Sequence, residues 1–252
     1  EIKLGQAGID DSVASLAEFR ANCPFTTKPE LAADHAANPS YGSNLTFPPG
    51  RYTRVHQTSG TSGAPLRWLD TPESWQWMIE NWSDIFRAAG VSAADWMIFA
   101  FSFGPFIGFW LAFEASEALG ALSIPGGGLS SEARLRAIFA HGANVLCCTP
   151  TYALRLAEVA KDEGIDLAKS PVRTIVVAGE PGGSIPATRA RLEEAWPGST
   201  VFDHHGMTEV GPVTYQCPAQ AGVLHVLEEA YLPEIIYPET AEPVAAGGTG
   251  EL

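Results

Sequence analysis

The sequence predicts an α/β fold in which mostly parallel strands form a sheet covered by helices on both faces. Short apolar runs recur at 96–101, 121–124, 145–148, 174–178 and 200–202. Runs of this length, apolar without alternation, are what strands buried on both faces look like. Helical patterns separate them. One places Leu135, Ile138 and Phe139 on a single face, opened by Ser131 and Glu132 and closed by Gly142. A second runs from Tyr152 to about Glu163, with Leu154, Val159 and Ala160 apolar and Gly164 as its stop. A further helix is predicted to start at Thr71-Pro72, where threonine can cap and proline suits the first helical position. Strand–helix alternation of this kind builds parallel sheets, and their ligands sit beyond the carboxyl ends of the strands.

The first fifty residues show little periodicity and many turn formers, such as Pro48, Pro49 and Gly50. The expected division is an N-terminal unit over 1–90 and an α/β unit over 91–252. With 15 Lys and Arg against 29 Asp and Glu, the net charge of −14 argues against a nucleic-acid partner, which needs clustered cations. The most apolar region, 96–119, is broken by Gly104, Pro105, Gly108, Glu114 and Glu117, so no membrane span is expected. The opening residues do not read as a secretory signal, and a cytoplasmic location is expected. The four cysteines are Cys23, Cys147, Cys148 and Cys217, too few and too scattered for a disulfide framework.

Three segments could carry chemistry. The first joins Thr58, Ser59, Gly60, Thr61, Ser62 and Gly63 in one loop after the β-prone run 52–55. Glycines let backbone amides converge on an anion, and the hydroxyls add donors. Taken alone, the loop reads equally well as a phosphate cradle or as a flexible Ser/Gly connection. The second is Gly179, Glu180 and Pro181 directly after a strand, which can present backbone to a flat base or be an ordinary turn. The third is His204, His205, Gly206, Met207, Thr208 and Glu209, again past a strand. It is either a polar loop with surface histidines or a set in which Glu209 holds Mg²⁺.

In this order and at these separations, Thr58–Gly63, Gly179–Pro181 and His205–Glu209 resemble the core motifs of adenylate-forming enzymes. The segments 24–28, 147–154, 222–226 and 232–236 narrow the resemblance to the phenylacetate-CoA ligase family. The likeness covers nearly the whole chain. It implies the large N-terminal domain of the acyl-adenylate-forming fold. It also implies ATP-dependent activation of a carboxylic acid to acyl-AMP and then to acyl-CoA, with ATP, Mg²⁺ and coenzyme A as cofactors and homodimers common. The resemblance further implies that the 58–63 loop lines the β- and γ-phosphates. Gly179, Glu180 and Pro181 would border the adenine, and His205 would stand where relatives carry a stacking tyrosine. His204, Gly206 and Met207 complete the expected nucleotide site. Thr208 would approach the α-phosphate and Glu209 would bind Mg²⁺. Thr208 and Glu209 are the expected catalytic pair.

Phe101, Phe103, Gly104, Phe106 and Phe109, followed by Gly126 and Gly127, are similar to the family's aromatic-acid pocket, which implies an aryl or arylacetic acid. Part of this set also reads as plain core. Two departures stand out. Ala64 replaces a loop lysine, leaving Arg67 as a nearby cation, and a histidine replaces the tyrosine. Cys217 and His225 resemble a Cys…Gly-x-His element, and with His204 they are candidates for structural zinc. A buried cysteine and a satisfied histidine is the simpler account. The chain stops at Leu252 where relatives continue, so the small catalytic lobe is expected to be missing. Within this family some relatives use a non-CoA acceptor, and a non-catalytic nucleotide-binding homologue is a third reading.

Overall fold

The computed structural model describes residues 2–10, 13–58, 60 and 63–252. Three short helices come first: α1 (Ile2–Gln6), α2 (Leu16–Asn22) and α3 (Lys28–Ala37). The hairpin β1 (Arg54–Gln57) and β2 (Arg67–Asp70) follows, antiparallel, with Gln57 opposite Arg67. Next is α4 (Pro72–Ala88), where Thr71 and Ser74 exchange side-chain and backbone hydrogen bonds as a reciprocal cap.

The central sheet takes its strands in order from β3 (Trp96–Phe99), β4 (Leu122–Pro125), β5 (Val145–Cys148), β6 (Thr174–Val177) and β7 (Thr200–Asp203). Their helices are α5 (Trp110–Ala118), α6 (Ser131–His141), α7 (Pro150–Asp162) and α8 (Pro186–Ala195). Two small hairpins close the chain: β8 (Gly206–Met207) with β9 (Gly211–Pro212), and β10 (Thr214–Gln216) with β11 (Leu224–Val226).

The five strands lie in the order β4-β3-β5-β6-β7 and every pair is parallel. Side chains alternate between the two faces, as the period of two requires. Met97, Phe99, Val145, Cys147, Val176 and Phe202 face one layer, where α4 and α5 contribute Trp75, Trp82, Ile85, Phe86 and Leu111. Ile98, Leu146, Cys148, Ile175, Val177 and Val201 face the other, packed on Leu135, Ile138, Leu156, Leu192 and Trp196 of α6, α7, α8 and the end of α8. The apolar runs read as strands are therefore the strands, and the cover on both faces explains why they do not alternate. The caps sit slightly earlier than expected: Ser130 caps α6 and Thr149 caps α7, each accepting a backbone N–H three residues on. All four cysteines are free thiols, and burial drives those of Cys147 and Cys148 far above the usual range. No helix among the described residues is long and apolar enough to cross a membrane.

A polar lock holds the amino ends of three strands. Asp95 accepts from Ser92 N at 2.7 Å, Asn144 Nδ2 at 2.9 Å and Arg173 Nη2 at 2.7 Å. Asn144 Oδ1 in turn accepts from Trp96 N at 3.0 Å. Burial alone would raise the Asp95 carboxyl, but Arg173, Ser92 and Asn144 together hold it below its ordinary 3.8. A depressed carboxylate contributes stability above its unfolded value, and that stability is lost as pH falls through the folded one. Asp95→Asn is expected to cost about 1.5–3 kcal/mol near neutrality. Thermal unfolding at pH 7 and pH 3 checks it: the gap between wild type and variant should narrow at the lower pH, and a constant gap contradicts the lock.

Candidate functional site

The carboxyl ends of β3, β5, β6 and β7 open on a cleft of about 320 Å³. Its wall is drawn from Gln57, from Phe101 and Phe106–Phe109, from Ala178 and Gly179, and from His204 and Gly206–Thr208. Segments more than a hundred residues apart thus meet at one edge of the sheet. Trp82, Phe109 and Leu111, all buried, form the floor, while Gly179 and Met207 are exposed at the rim.

The loop after β7 owes its course to two glycines. A Cβ on Gly206 would fall 2.6 Å from the Gly211 carbonyl oxygen. Gly211 has a φ of +84°, and its Cβ would meet Met78 Sδ at 2.6 Å. The β8–β9 hairpin can therefore lie flat on α4 only with glycine at both positions. His204 begins this loop and is buried against Trp82, ring centroids 4.3 Å apart. Its Nδ1 lies 2.9 Å from the Thr214 carbonyl oxygen. Burial pushes its pKa down to about 4 against the opposing effect of that hydrogen bond, so the ring is neutral in ordinary buffers. A carbonyl only accepts, so the proton is on Nδ1 and Nε2 carries a lone pair. His205 is exposed and held by its backbone, its N–H donating to Thr214 Oγ1 at 2.9 Å. Its ring does not line the cleft.

Thr208 borders both this cleft and a second cavity of about 380 Å³, which Glu209, Arg67 and Asp70 also line. No described residue hydrogen-bonds or ion-pairs with the Glu209 carboxylate, which leaves its oxygens free for a hard cation. A third cavity, about 510 Å³, is lined by Lys28, His35, Thr58, Gly60, Gly63 and Arg67 among others. Arg67 thus borders both the serine-rich loop and the Glu209 cavity. Ser59, Thr61 and Ser62 lie outside the described residues. The Thr58 hydroxyl accepts from Leu66 N at 3.1 Å, which closes the neck of the loop and leaves its O–H free to donate. Its placement follows from β1, where Gln57 N donates to the Pro105 carbonyl at 2.8 Å.

After β6, the Glu180 carboxylate takes the Thr151 N–H at 2.7 Å and the Thr151 hydroxyl. Backbone at Ala178 and Gly179 faces the cleft from this turn; Glu180 and Pro181 do not. Of the expected acyl-pocket residues, Phe101, Phe106 and Phe109 line the cleft; Phe103, Gly104, Gly126 and Gly127 do not. Phe103 packs on Phe101, Trp110 and Phe113, and a Cβ on Gly127 would fall 2.8 Å from Phe103 Cδ2. Trp82, Leu111 and Thr149 line the cleft without standing out in the sequence as site residues, and Gln57 does so from the edge of the serine-rich segment. The zinc expectation is corrected: among the described residues no three His, Cys, Asp or Glu side chains gather to hold a metal. Cys217 and His225 share one face of the β10–β11 hairpin, but His204 is turned into Trp82 with Nδ1 committed to Thr214.

A doubly wound α/β sheet with its cleft at the carboxyl edge defines the class: a ligand-binding α/β protein. The chain belongs to the family of AMP-binding enzymes, whose pattern matches residues 54–252. It is 30% identical over 252 residues to a phenylacetate-coenzyme A ligase of Thermus thermophilus, covering 99% of this chain and 55% of that protein. A phenylacetate-coenzyme A ligase of Escherichia coli is 31% identical over 258 residues, covering 99% and 56%. The chain therefore spans about half the length of these curated relatives. A solved 2-hydroxyisobutyryl-CoA ligase, in complex with 2-HIB-AMP and CoA, superimposes with a TM-score of 0.91 at 27% identity, covering 99% of this chain and 53% of that one. A long-chain-fatty-acid-CoA ligase of Archaeoglobus fulgidus, at 17% identity and a TM-score of 0.59, shares the fold.

One anchor sets the position of β1, and with it the serine-rich loop. Glu114 of α5 pairs with Arg54 at 2.7 Å and accepts from Trp75 Nε1 at 2.8 Å, while His56 stacks on Trp75 at 5.0 Å. Glu114→Gln should cost about 2 kcal/mol. Calorimetric unfolding of wild type and variant checks it. An unchanged melting temperature would remove the anchor role.

Proposed function

We propose that this chain is the nucleotide- and acyl-binding part of an AMP-forming acid–thiol ligase that activates an aryl or arylacetic acid. The observation that carries the reading is the meeting of the β6 and β7 loops with Gln57 and the Phe-rich segment around one cleft. In such a reaction a carboxylate oxygen attacks the α-phosphorus of ATP, the bond to pyrophosphate breaks, and an acyl-adenylate forms. The thiol of coenzyme A then attacks the acyl carbon, and AMP leaves with the bonding electrons. The chain's contribution to the first step is positioning and charge neutralisation. Thr208 borders both cavities, which supports a role for its hydroxyl as donor to the α-phosphate while the acyl group enters the aromatic cleft. The free carboxylate of Glu209 would hold Mg²⁺, which neutralises phosphate charge when bound. The aromatic preference rests on the cleft walls and on the relatives named as phenylacetate-coenzyme A ligases. The relative crystallised with 2-hydroxyisobutyryl-AMP is the reason to test aliphatic acids beside aromatic ones.

The test is carboxylate-dependent exchange of pyrophosphate into ATP by the gene product carrying this chain, across a panel of acids. Exchange with no acid sinks the reading. Exchange without thioester formation on adding coenzyme A assigns another acceptor. Gly127→Leu should push Phe103 into Phe101 and raise KM for the acid several-fold, with KM for ATP moved less. Equal effects on both would detach the Phe-rich segment from acyl binding. Arg67→Gln should weaken ATP binding by roughly tenfold, and Ala64→Lys in that background should restore part of it. Calorimetric titration of the chain with ATP reads this directly, and full affinity in Arg67→Gln would refute a role for that cation.

A further inference from the structure

We infer that His204 is a hydrogen-bond acceptor for the acyl group, and that the acid activated here carries a hydroxyl or amino hydrogen directed at its Nε2. This rests on the ligase reading above and adds the substrate class to it. The cleft lining near His204 includes Trp82, Phe101, Phe109 and Leu111, with Trp82 packed on the imidazole. Nε2 is not one of the enclosed polar atoms left without a partner, so in the free chain it reaches solvent in the cleft, and a ligand that displaces that solvent must pair with it. Nδ1 is paired to the Thr214 carbonyl at 2.9 Å, which fixes the proton there and leaves Nε2 as a lone pair. No described group donates to Nε2. The other polar wall residues, Gln57, Thr149 and Thr208, make no hydrogen bond to it. Packing fixes the ring as well, since Trp82 lies against its face and Gly206 against its edge.

The neutral ring cannot repel a neutral donor or attract a carboxylate, so it selects for an N–H or O–H and nothing else. Burial points to the source of that donor. His204 is 7% exposed and packs on the buried Trp82, whereas Gly179 and Met207 are open. A nucleotide base held at the Gly179 turn lies at the rim, and the group reaching the floor is the acyl end of the acid. An acid lacking the donor would strand a desolvated acceptor, which discriminates more strongly than a missing methylene does.

The experiment is pyrophosphate exchange by the gene product with matched acids differing by one hydroxyl or amino group: phenylacetate, benzoate and isobutyrate against their substituted forms. At least one substituted acid should exceed its parent in kcat/KM by roughly tenfold or more. His204→Phe should abolish that preference by weakening use of the substituted acid, and His204→Gln, which keeps an acceptor, should retain part of it. A preference for unsubstituted acids, or a preference that survives in His204→Phe, overturns the proposal. So does a result in which the variant loses discrimination between ATP and the triphosphate of purine riboside, which lacks the 6-amino group, because the acceptor would then serve the base. If His204→Phe does not fold, judged by its melting curve, His204→Gln and the wild-type acid pairs decide alone. Exchange with no acid at all defeats the ligase reading itself, a result distinct from exchange without a donor preference.

Discussion

The parallel pairing of β3 on both of its edges is the constraint from which the site follows. β4 lies on one side and β5 on the other, so the chain leaves β3 in one direction and later returns past it. The link through α5 covers one face, and the links through α6, α7 and α8 cover the other. Loops leaving β3 and β5 must therefore diverge, and a crevice opens between them at the carboxyl edge. Parallelism also brings the turns after β6 and β7 to that same edge. Register matters here as much as order, because a slip of one residue would turn Phe99, Cys147 and Val176 to the wrong face. The Asp95–Asn144–Arg173 lock joins the amino ends of β3, β5 and β6 and opposes such a slip.

Where local sequence and tertiary environment agree, the fold could be read directly. β5 and β6 are entirely buried, and their four-residue apolar runs announce it. α4 was equally plain, because Thr71, Pro72 and the spacing of Trp75, Met78, Ile79, Trp82 and Ile85 all point to one amphipathic helix. α2 and α3 were not, because neither buries a residue and so neither carries an apolar stripe. Their formation rests on caps, Ser15 for α2 and the reciprocal Thr27–Glu30 pair for α3. α5 was hidden for the opposite reason: it sits inside a nearly continuous apolar stretch with little polar contrast.

The site was legible as motifs and illegible as geometry. Gly206 marks a turn in the sequence, yet only the packing of Gly211 on Met78 shows why a side chain is not tolerated there. The Ser/Gly loop advertises hydroxyls, and only the structure shows that the Thr58 oxygen also closes the loop neck. Glu180 looks available next to the cleft and is instead bound to the first turn of α7. Trp82 and His204 could not have been paired from sequence. They lie more than 120 positions apart, and their contact depends on α4 and the β7 loop meeting across the sheet edge.

The same geometry explains how a chain of net charge −14 can offer a place to a polyanion. Most of its cations are engaged by carboxylates: Arg54 by Glu114, Arg173 by Asp95, Arg136 by Glu132 and Glu163. The global field is repulsive, and screening confines it to about a Debye length of ~8 Å at physiological salt. Attraction must come from groups within that distance which carboxylates have not already claimed. Arg67 fits this description. It donates to the Ser40 carbonyl, has no carboxylate partner among the described residues, and borders both the serine-rich loop and the Glu209 cavity. A metal on Glu209 would add charge from the other side. Polarity is therefore graded across the site, ionic around Thr208 and apolar at Trp82. On the proposed reading, that gradient would orient a molecule with a charged carboxylate and an uncharged tail in one direction, carboxylate toward the phosphates and tail toward Trp82.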